Sequence, residues 1–398
     1  MKHLLIFAVF IFSTIAVTAQ KPAATPVNEY AAIDVKALRM PDSLTHTTDG
    51  IAGYINTNFT TVKEKTRAIF IWLASNIQYD IENMFAINFY EEKETLIARS
   101  LTIRKGICAD YATLFNDITL KCGISSVVVE GYTKQNGFTD YIPHAWCAAM
   151  VDSSWFIFDP TWGSGYVNGG KFYKKVNNAY YKVAPAVSIK SHMPFDYLWQ
   201  FLYYPVSNQE FYEARAIENK TKPYFSFNDS IKVYQEQDTI ARLTASAYRI
   251  EKNGVKNAMV FDRLRNIKME IENSRQKKMV ALFNAAVADY NASISEFNAF
   301  IQYRNKQFIP LKTDPEIQKM LDGVMILLED AKNKISSIKN PDPSTITLIS
   351  QFNKSMEEMA VHVKEQQDWL ETYFGKSKSK RKAMFYEKKV TWFGIPVN

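Results

Sequence analysis

The sequence predicts an α+β domain followed by a bundle of long helices. The segment from Cys108 to Leu120 has helical spacing and ends at Cys122-Gly123, and a β-branched run from Ser125 to Tyr132 follows it. A helix followed by antiparallel strands is typical of α+β architecture. Beyond about Asn228, apolar residues recur every three or four positions, as they do in the amphipathic helices of an antiparallel bundle.

The chain begins with a pattern typical of a secretory signal peptide. Lys2 precedes an apolar run from Leu4 to Ala16, and Val17-Thr18-Ala19 supplies the small residues of a cleavage site. The run is shorter than the ~20 residues that a membrane-spanning helix needs. We therefore expect residues 1–19 to be removed, leaving an exported, periplasmic or extracellular protein without a transmembrane span.

The composition is that of a globular protein with substantial cores. The 398 residues are 47% hydrophobic and 22% charged, and a chain of this length predicts two domains. The formal charge of +7 is mild, and no binding motif accompanies it, so nucleic acid is not an expected partner. The cysteines are only three, Cys108, Cys122 and Cys147, which is too few for an exported domain stapled by disulfides.

The elements before Cys108 are predicted to be mainly helical. Residues 20–34 lack periodicity and are expected to form a leader. Helical spacing from Asp49 to Phe59 and from Val62 to Ile77 predicts two helices. Residues 81–99 look irregular or partly helical, and Lys105-Gly106 breaks the chain before the next helix.

Two further strands are predicted after the run that ends at Tyr132. They extend from Ala145 to Val151 and from Trp155 to Phe158, joined by a tight turn at Asp152-Ser153-Ser154. The Gly- and Asn-rich stretch from Gly163 to Gly170 predicts a loop.

Three apolar stripes predict the helices of the second domain. They run from Met279 to Ile301, from Ile317 to Ile335 and from Phe352 to Leu370. We expect residues 35–212 to form the first domain, with a C-terminal extension, and residues 228–398 to form the helical one.

A basic run lies near the C-terminus of the helical domain, after Gly375. Its members are Lys376, Lys378, Lys380, Arg381 and Lys382. A solvated linker is the ordinary explanation for such a run. Contact with an anionic envelope surface or an acidic partner is the functional alternative.

Cys108, His144 and Asp159 are the residue types that a cysteine nucleophile requires. Cys108 opens a helix, whose positive end and unpaired N–H groups favour a thiolate and can hold an oxyanion. His144 opens a strand and can carry the proton. Asp159 ends the next strand among aromatic residues, where a carboxylate needs a partner such as this imidazole.

These segments resemble the motifs of the transglutaminase-like superfamily. The resemblance lies in residues 105–115 (KGICADYATLF), 143–146 (PHAW) and 155–162 (WFIFDPTW), with Trp72 and residues 76–80 upstream. It implies a papain-like or transglutaminase-like α+β core, with a nucleophile helix packed on an antiparallel sheet, and the helical bundle region after this core is predicted by the apolar stripes alone. It also implies that Cys108 is the nucleophile, His144 the base and acid, and Asp159 the orienting carboxylate. No EF-hand pattern is present, and we expect neither a metal nor another cofactor.

Strand pairing alone leaves a gap between two of these residues. A turn at Ser153-Ser154 would place Asp159 opposite Ala148, with His144 about four residues further along, roughly 13 Å at ~3.3 Å per residue. A bulge, a strand twist or a different register must therefore bring the two side chains together.

Several alternatives remain open in the sequence. His192 with Asp196 is a rival partner for Cys108, although no predicted strand supports it. Cys122 and Cys147 are expected to be small core residues, and a disulfide between them is an alternative in an oxidising compartment. The candidates for residues beside the oxyanion or the cleft are Gln78, Tyr79 and Trp146.

The expected chemistry is acyl transfer on a protein or peptide substrate. Cys108 would attack a peptide or carboxamide carbonyl, and water or a lysine amine would resolve the acyl-enzyme. Hydrolysis is favoured because water needs no dedicated acceptor site. The alternative is a binding or assembly module of the cell envelope, in which the helical region engages a partner and the three residues are inactive or slow. In a third interpretation, the helical region covers the cleft and regulates access.

Overall fold

The computed structural model describes residues 29–85, 91–135, 138–139 and 142–386. The predicted signal peptide, most of the predicted leader and the end of the chain lie outside this part. The contacts divide the chain into two compact units. One runs to Phe225 without Asp196–Leu198, and the other comprises Asp196–Leu198 and the chain from Ser226 onward.

Three helices open the first unit: α1 (Ala31–Leu38), α2 (Thr48–Asn58) and α3 (Val62–Asn76). α1 begins inside the range expected to be leader, because Asp34 on this helix pairs with a guanidinium of α3. The Arg67 Nε and Nη2 atoms lie 2.7 Å from the two oxygens of Asp34. This buried pair fixes α1 on α3.

Two short strands and one helix precede the N-terminus of a central helix. The short strand β1 (Gln78–Tyr79) is followed by α4 (Lys93–Ile103), and β2 (Lys105–Gly106) pairs with β1 in parallel. The helix α5 (Cys108–Lys121) begins two residues after β2. The predicted break at Lys105-Gly106 is therefore a short strand.

α5 packs on an antiparallel sheet. Its strands are β3 (Ser126–Gln135), β4 (Phe138–Thr139), β5 (His144–Val151) and β6 (Ser154–Phe158), in the order β4-β3-β5-β6. α5 packs on β5 and β3 through an apolar face that repeats every three or four residues, and the ring centroids of Phe115 and Phe158 are 5.0 Å apart. The predicted α+β core, with a helix packed on an antiparallel sheet, is confirmed.

The register between β5 and β6 differs from the one that the sequence suggested. Val151 pairs with Ser154 and Cys147 with Phe158, so the turn is centred on Asp152 and Ser153. Both turn residues have positive φ, 50° and 64°, as the tight turn of a hairpin requires. The turn thus lies within the expected Asp152-Ser153-Ser154, and the register is not the one that a turn at Ser153-Ser154 would give, in which Asp159 would be opposite Ala148.

Helix α6 (Pro160–Ser164) follows the sheet and leads into a β-hairpin. The strands β7 (Gly165–Asn168) and β8 (Lys171–Lys174) pair across Gly169 and Gly170, whose φ angles are 55° and 71°. The prediction of a loop from Gly163 to Gly170 was therefore wrong. The two glycines form a turn, and the flanking residues form strands because Tyr166 and Tyr173 stack across the pair.

The rest of the first unit contains short elements. They are α7 (Pro185–Ser188), β9 (His192–Pro194) and α8 (Asn208–Tyr212). β9 pairs antiparallel with β3, so that Thr133 faces His192 and Gly131 faces Pro194. A segment in which the sequence showed no strand thus joins the main sheet.

The second unit is helical, which confirms the expected helical region. Its helices are α9 (Phe227–Glu236), α10 (Thr239–Asn253), α11 (Ala258–Asn305), α12 (Asp314–Ser336), α13 (Pro343–Phe374) and α14 (Lys378–Met384). Its core lies mainly among α11, α12 and α13 and contains most residues of the predicted stripes. Among the residues described in both units, no helix is long and apolar enough to cross a membrane.

Candidate active site

Cys108 is the first residue of α5 and is 7% exposed. The Ile107 N–H just before it donates to the Asp110 carboxylate at 2.8 Å, which satisfies one of the N–H groups at the helix N-terminus. The hydroxyl of Ser100 and the guanidinium of Arg99 hold the other oxygen of Asp110, at 2.6 and 2.8 Å. The first turn of α5 is therefore held rigidly around the thiol.

Asp159 is the N-cap of α6 and is 2% exposed. Its Oδ1 accepts the N–H groups of Thr161 and Trp162, at 2.9 and 3.0 Å. Its Oδ2 lies 2.8 Å from Nε2 of His144, the first residue of β5. The predicted histidine and carboxylate are thus brought into direct contact.

The same carboxylate has a second histidine partner. Nε2 of His192, on β9, lies 3.1 Å from Oδ2 of Asp159, and Oγ of Ser191 lies 2.8 Å from Nδ1 of His192. The sequence suggested His192 only as an alternative to His144, with Asp196 as its carboxylate partner. The structure places Asp196 with the Arg249 guanidinium, at 2.7 and 2.8 Å. His192 therefore joins the predicted group rather than replacing part of it.

The charges of His144 and Asp159 support each other. Burial alone would raise the pKa of Asp159, but its contacts with His144 and His192 hold that pKa well below its usual value. Burial likewise opposes a charge on His144, yet Asp159 and a hydrogen bond with Cys108 raise the His144 pKa above its ordinary value. The pKa of His144 thus depends on both Asp159 and Cys108, and Asp159 contacts the Nε2 atom of His144.

A cavity of about 730 Å³ reaches His144. Aromatic and aliphatic side chains make up much of its wall: Tyr79, Met84, Trp162, Tyr166, Val167, Phe172 and Tyr180. The Trp162 ring centroid is 5.4 Å from the His144 ring centroid. The imidazole therefore forms part of the surface that a ligand in this cavity would meet.

The three residues expected beside the oxyanion or the cleft lie in different environments. Tyr79 lines the cavity, and burial, followed by the nearby Cys108 and Asp159, raises its pKa to about 12. Its hydroxyl therefore stays protonated at neutral pH and can donate a hydrogen bond. Gln78 is exposed on β1. Trp146 is 1% exposed, packs with its ring centroid 5.1 Å from that of His192, and is not part of the cavity wall.

The other two cysteines are buried and unpaired. Sγ of Cys147 contacts the Ala112 carbonyl at 3.1 Å, and Sγ of Cys122 contacts the Ala52 carbonyl at 4.0 Å. Burial raises the pKa of Cys122 to about 11 and that of Cys147 well above its usual value. Both behave as core residues, and the structure contains no disulfide between them.

His144, Asp159 and His192 also offer potential metal ligands. Their ligand atoms all lie within 4.8 Å of one another. Both nitrogen–oxygen distances, 2.8 and 3.1 Å, are those of N–H···O hydrogen bonds, and the two backbone N–H groups already hold the other carboxylate oxygen. We therefore interpret the group as a hydrogen-bond network around a buried carboxylate.

Two features of the site were not predicted from the sequence: the contact of His192 with Asp159, and the hairpin of β7 and β8 at the cavity. β9 has three residues and no alternating pattern, so its pairing with β3 had no local signal. The hairpin did have one, because Gly169-Gly170 lies between Tyr166-Val167 and Phe172-Tyr173, and a Gly-Gly pair between two such segments is typical of a two-residue hairpin turn.

Comparisons with known proteins find similarity over part of this chain. Residues 49–160 match the family described as the transglutaminase-like superfamily. Kyphoscoliosis peptidase of Mus musculus is 35% identical over 156 residues, which are 37% of this chain and 23% of that protein. The Homo sapiens protein of the same name gives the same identity and coverage. The chain thus spans about a quarter of the length of these curated relatives.

Among solved structures, the periplasmic domain of TgpA from Pseudomonas aeruginosa is similar over 33% of this chain and 47% of its own. The identity is 19% and the TM-score 0.25.

Proposed function

We propose that this chain, whose residues 49–160 form a transglutaminase-like domain, is an exported cysteine-dependent enzyme that hydrolyses peptide or carboxamide bonds. The observation that carries the proposal is the 2.8 Å contact of His144 with the buried carboxylate of Asp159, together with the effect of Cys108, at a helix N-terminus, on the pKa of His144. Export is proposed from the signal-peptide pattern of residues 1–19.

The first half of the reaction forms an acyl-enzyme. Sγ of Cys108 attacks the carbonyl carbon, and negative charge develops on the carbonyl oxygen. The N–H groups at the start of α5 and the protonated Tyr79 hydroxyl would be the donors that receive that charge. When the C–N bond breaks, His144 gives its proton to the leaving amine, and a thioester remains on Cys108.

The second half returns the enzyme to its starting state. His144 takes a proton from water, the resulting hydroxide attacks the thioester carbonyl, and the carboxylic acid leaves as the C–S bond breaks. Asp159 keeps the imidazole oriented throughout and stabilises its protonated form. A lysine amine in place of water would give a transglutaminase, and we favour water because it needs no acceptor site.

Iodoacetamide labelling between pH 4 and 9, with peptide mapping, tests the proposal directly. Fast labelling confined to Cys108 at mildly acidic pH, and lost in His144→Ala, is the expected result because a thiolate paired with an imidazolium reacts where an ordinary thiol does not. Cys122 and Cys147 are internal controls, since both are buried.

Labelling of Cys108 no faster than that of the other two cysteines, and unchanged by His144→Ala, would contradict the enzyme proposal. It would instead favour a binding module. If Cys108 is reactive, fluorogenic peptides and amides follow as substrates, with Cys108→Ser as the control variant.

A further inference from the structure

We propose that the cavity beside His144 binds an aromatic or large aliphatic side chain of the substrate, next to the carbonyl that Cys108 attacks. The inference rests on the proposed function, because it assigns a substrate preference to that same site. Eight of the residues that line the cavity are aromatic or aliphatic: the seven named above and Val176. A volume of about 730 Å³ lies within the usual ~300–1,000 Å³ of sites that enclose ligand groups.

Part of the apolar wall is exposed without a ligand. Tyr166 is 53% and Val167 46% exposed, both on β7. Apolar groups grouped beside a reactive centre are typical of a recognition surface, since burying them against a ligand is favourable. Tyr166 stacks on Tyr173 with ring centroids 5.5 Å apart, so its ring is already ordered.

The hairpin that carries these side chains is fixed relative to the reacting groups. The Lys175 N–H donates to the Ser164 carbonyl and the Asn177 N–H to the Gly163 carbonyl, both at 2.9 Å. Ser164 and Gly163 belong to α6, the helix that Asp159 caps. The apolar wall and the carboxylate that orients His144 are therefore parts of one connected segment, which makes the wall a fixed subsite.

The charge of the side chains that line the cavity gives a second reason to expect a preference among substrate side chains. Besides His144, the lining side chains that the structure describes include one basic group, Lys175, and no carboxylate. A positively charged substrate side chain would meet Lys175 without a compensating anion. We therefore expect an aromatic side chain to be preferred and a lysine or arginine side chain to be disfavoured at this position.

Peptidyl chloromethyl ketones test the preference without a known substrate. In these reagents Sγ of Cys108 displaces chloride, so a C–S bond forms as the C–Cl bond breaks. Second-order rates of Cys108 modification would be measured by intact mass for the acetyl-Phe, acetyl-Ala and acetyl-Lys reagents, each divided by the iodoacetamide rate of the same variant. The Phe reagent is expected to react at least ~10-fold faster than the Ala reagent, and the Lys reagent slower than both.

Three variants connect the preference to the cavity. Tyr166→Ala is expected to lower the Phe-to-Ala rate ratio several-fold, and Lys175→Glu to raise the Lys-to-Ala ratio. Tyr212→Ala is the matched control, because Tyr212 is 67% exposed in the same unit and does not line the cavity. Equal rates for the three reagents, with fast iodoacetamide labelling, would overturn the subsite and leave the proposed function standing. A thiol unreactive toward iodoacetamide as well would overturn both.

We also infer, from the hydrogen bonds of Asp159, that His192 is a positioning residue for the carboxylate. Each oxygen of Asp159 has two donors, two backbone N–H groups on Oδ1 and two imidazoles on Oδ2. Because an ionised carboxylate can only accept, Nε2 of His192 carries the N–H that faces Oδ2 of Asp159, and the other ring nitrogen, Nδ1, lies 2.8 Å from Oγ of Ser191. With all four donors in place, the carboxylate cannot rotate away from His144.

Several other titratable side chains face this carboxylate. Besides the two histidines, they are Tyr79, Tyr111, Cys147 and Tyr180. All four are neutral near pH 7, because burial raises the pKa of each. Among the titratable groups around Asp159, the two imidazoles are therefore the ones that stabilise its charge, in addition to the two backbone N–H groups on Oδ1.

The test compares His192→Ala with His192→Gln, whose amide N–H can replace Nε2. The iodoacetamide rate of Cys108 would be followed against pH in both variants, with folding checked by near-UV circular dichroism. His192→Ala is expected to slow labelling of Cys108 several-fold and to move the acid limb of the pH profile to higher pH. His192→Gln is expected to keep most of the wild-type rate and most of the wild-type profile. An unchanged profile in His192→Ala, or equal impairment in the two variants, would show a role in packing only and overturn the inference.

Discussion

Oδ2 of Asp159 lies 2.8 Å from Nε2 of His144, although one residue follows the end of β6 and the other begins β5. The register explains the contact. Because Cys147 pairs with Phe158, extending β6 by one residue brings Asp159 level with Trp146, two residues from His144. Residues two apart on a strand share a face, so the two side chains point to the same side of the sheet.

Replacing Asp159 by asparagine is expected to disable the site. The amide group must direct its NH₂ either at the two imidazoles or at the two backbone N–H groups, which are all donors. We expect Asp159→Asn to slow iodoacetamide labelling of Cys108 by on the order of 10²-fold at pH 6. Labelling at the wild-type rate would show that the carboxylate does not orient His144.

The contribution of His144 to stability should depend on pH in a defined direction. Its pKa is raised by Asp159 above the ordinary value of 6.5, so its charge stabilises the folded state fully below about pH 6.5, and this is lost as the pH rises through the raised pKa. The charge of Asp159, whose pKa is lowered, stabilises the folded state at pH values above the ordinary pKa of 3.8. This stabilisation is lost as the pH falls through the lowered pKa. The charges of both His144 and Asp159 therefore contribute fully to stability between about pH 4 and 6.5.

Urea unfolding of the wild type and His144→Gln measures this effect. The loss in free energy of unfolding is expected to be about 1–2 kcal/mol larger at pH 5.5 than at alkaline pH. A difference independent of pH would mean that His144 is not charged in the folded protein.

The close approach at Gly106 predicts a sharp sensitivity to substitution. A Cβ added there would lie 2.6 Å from Cβ of Asp110, whose carboxylate caps α5. We expect Gly106→Ala to cost about 1–3 kcal/mol of stability and to slow Cys108 labelling, because the cap must shift. Gly53→Ala is the matched control, since no atom lies within 4 Å of its added Cβ in α2. Equal thermal stability of the two variants would contradict this account.

The buried pair of Arg67 and Asp34 should contribute strongly to stability. The guanidinium is fully buried, binds both oxygens of Asp34 and donates at 2.8 Å to Asn178, beside the cavity wall. Asp34→Ala leaves this cation without its carboxylate and is expected to cost about 3–5 kcal/mol in urea unfolding. The exposed pair of Lys63 and Glu29 serves for comparison, and Glu29→Ala should cause no measurable change.

Chelation distinguishes the hydrogen-bond network from a metal site. Prolonged dialysis against EDTA is expected to leave the labelling rate of Cys108 and the thermal midpoint unchanged, because N–H donors already occupy Asp159. A loss of reactivity that Zn²⁺ reverses in the wild type, but not in His192→Ala, would identify His144, Asp159 and His192 as metal ligands instead.

Local sequence patterns predicted individual elements well and their partners less well. The helix expected from Cys108 to Leu120 ends at Lys121, and the strand expected from Ser125 to Tyr132 extends to Gln135. These boundaries follow from side-chain periodicity and from Gly123, which are local. The turn after Val151 was expected within residues 152–154, but its register was not predicted, because Asp152 and Ser153 adopt positive φ without a glycine to signal it.

The sequence by itself determined the residue types of the candidate site and the elements that present them. A cysteine at a helix start, a histidine at a strand start and an aspartate before Pro160 are all visible in the linear chain. The tertiary structure decided which histidines meet Asp159, because a strand register and the pairing of β9 with β3 depend on contacts between distant residues. Those contacts depend on packing over the whole sheet, and no local periodicity records them.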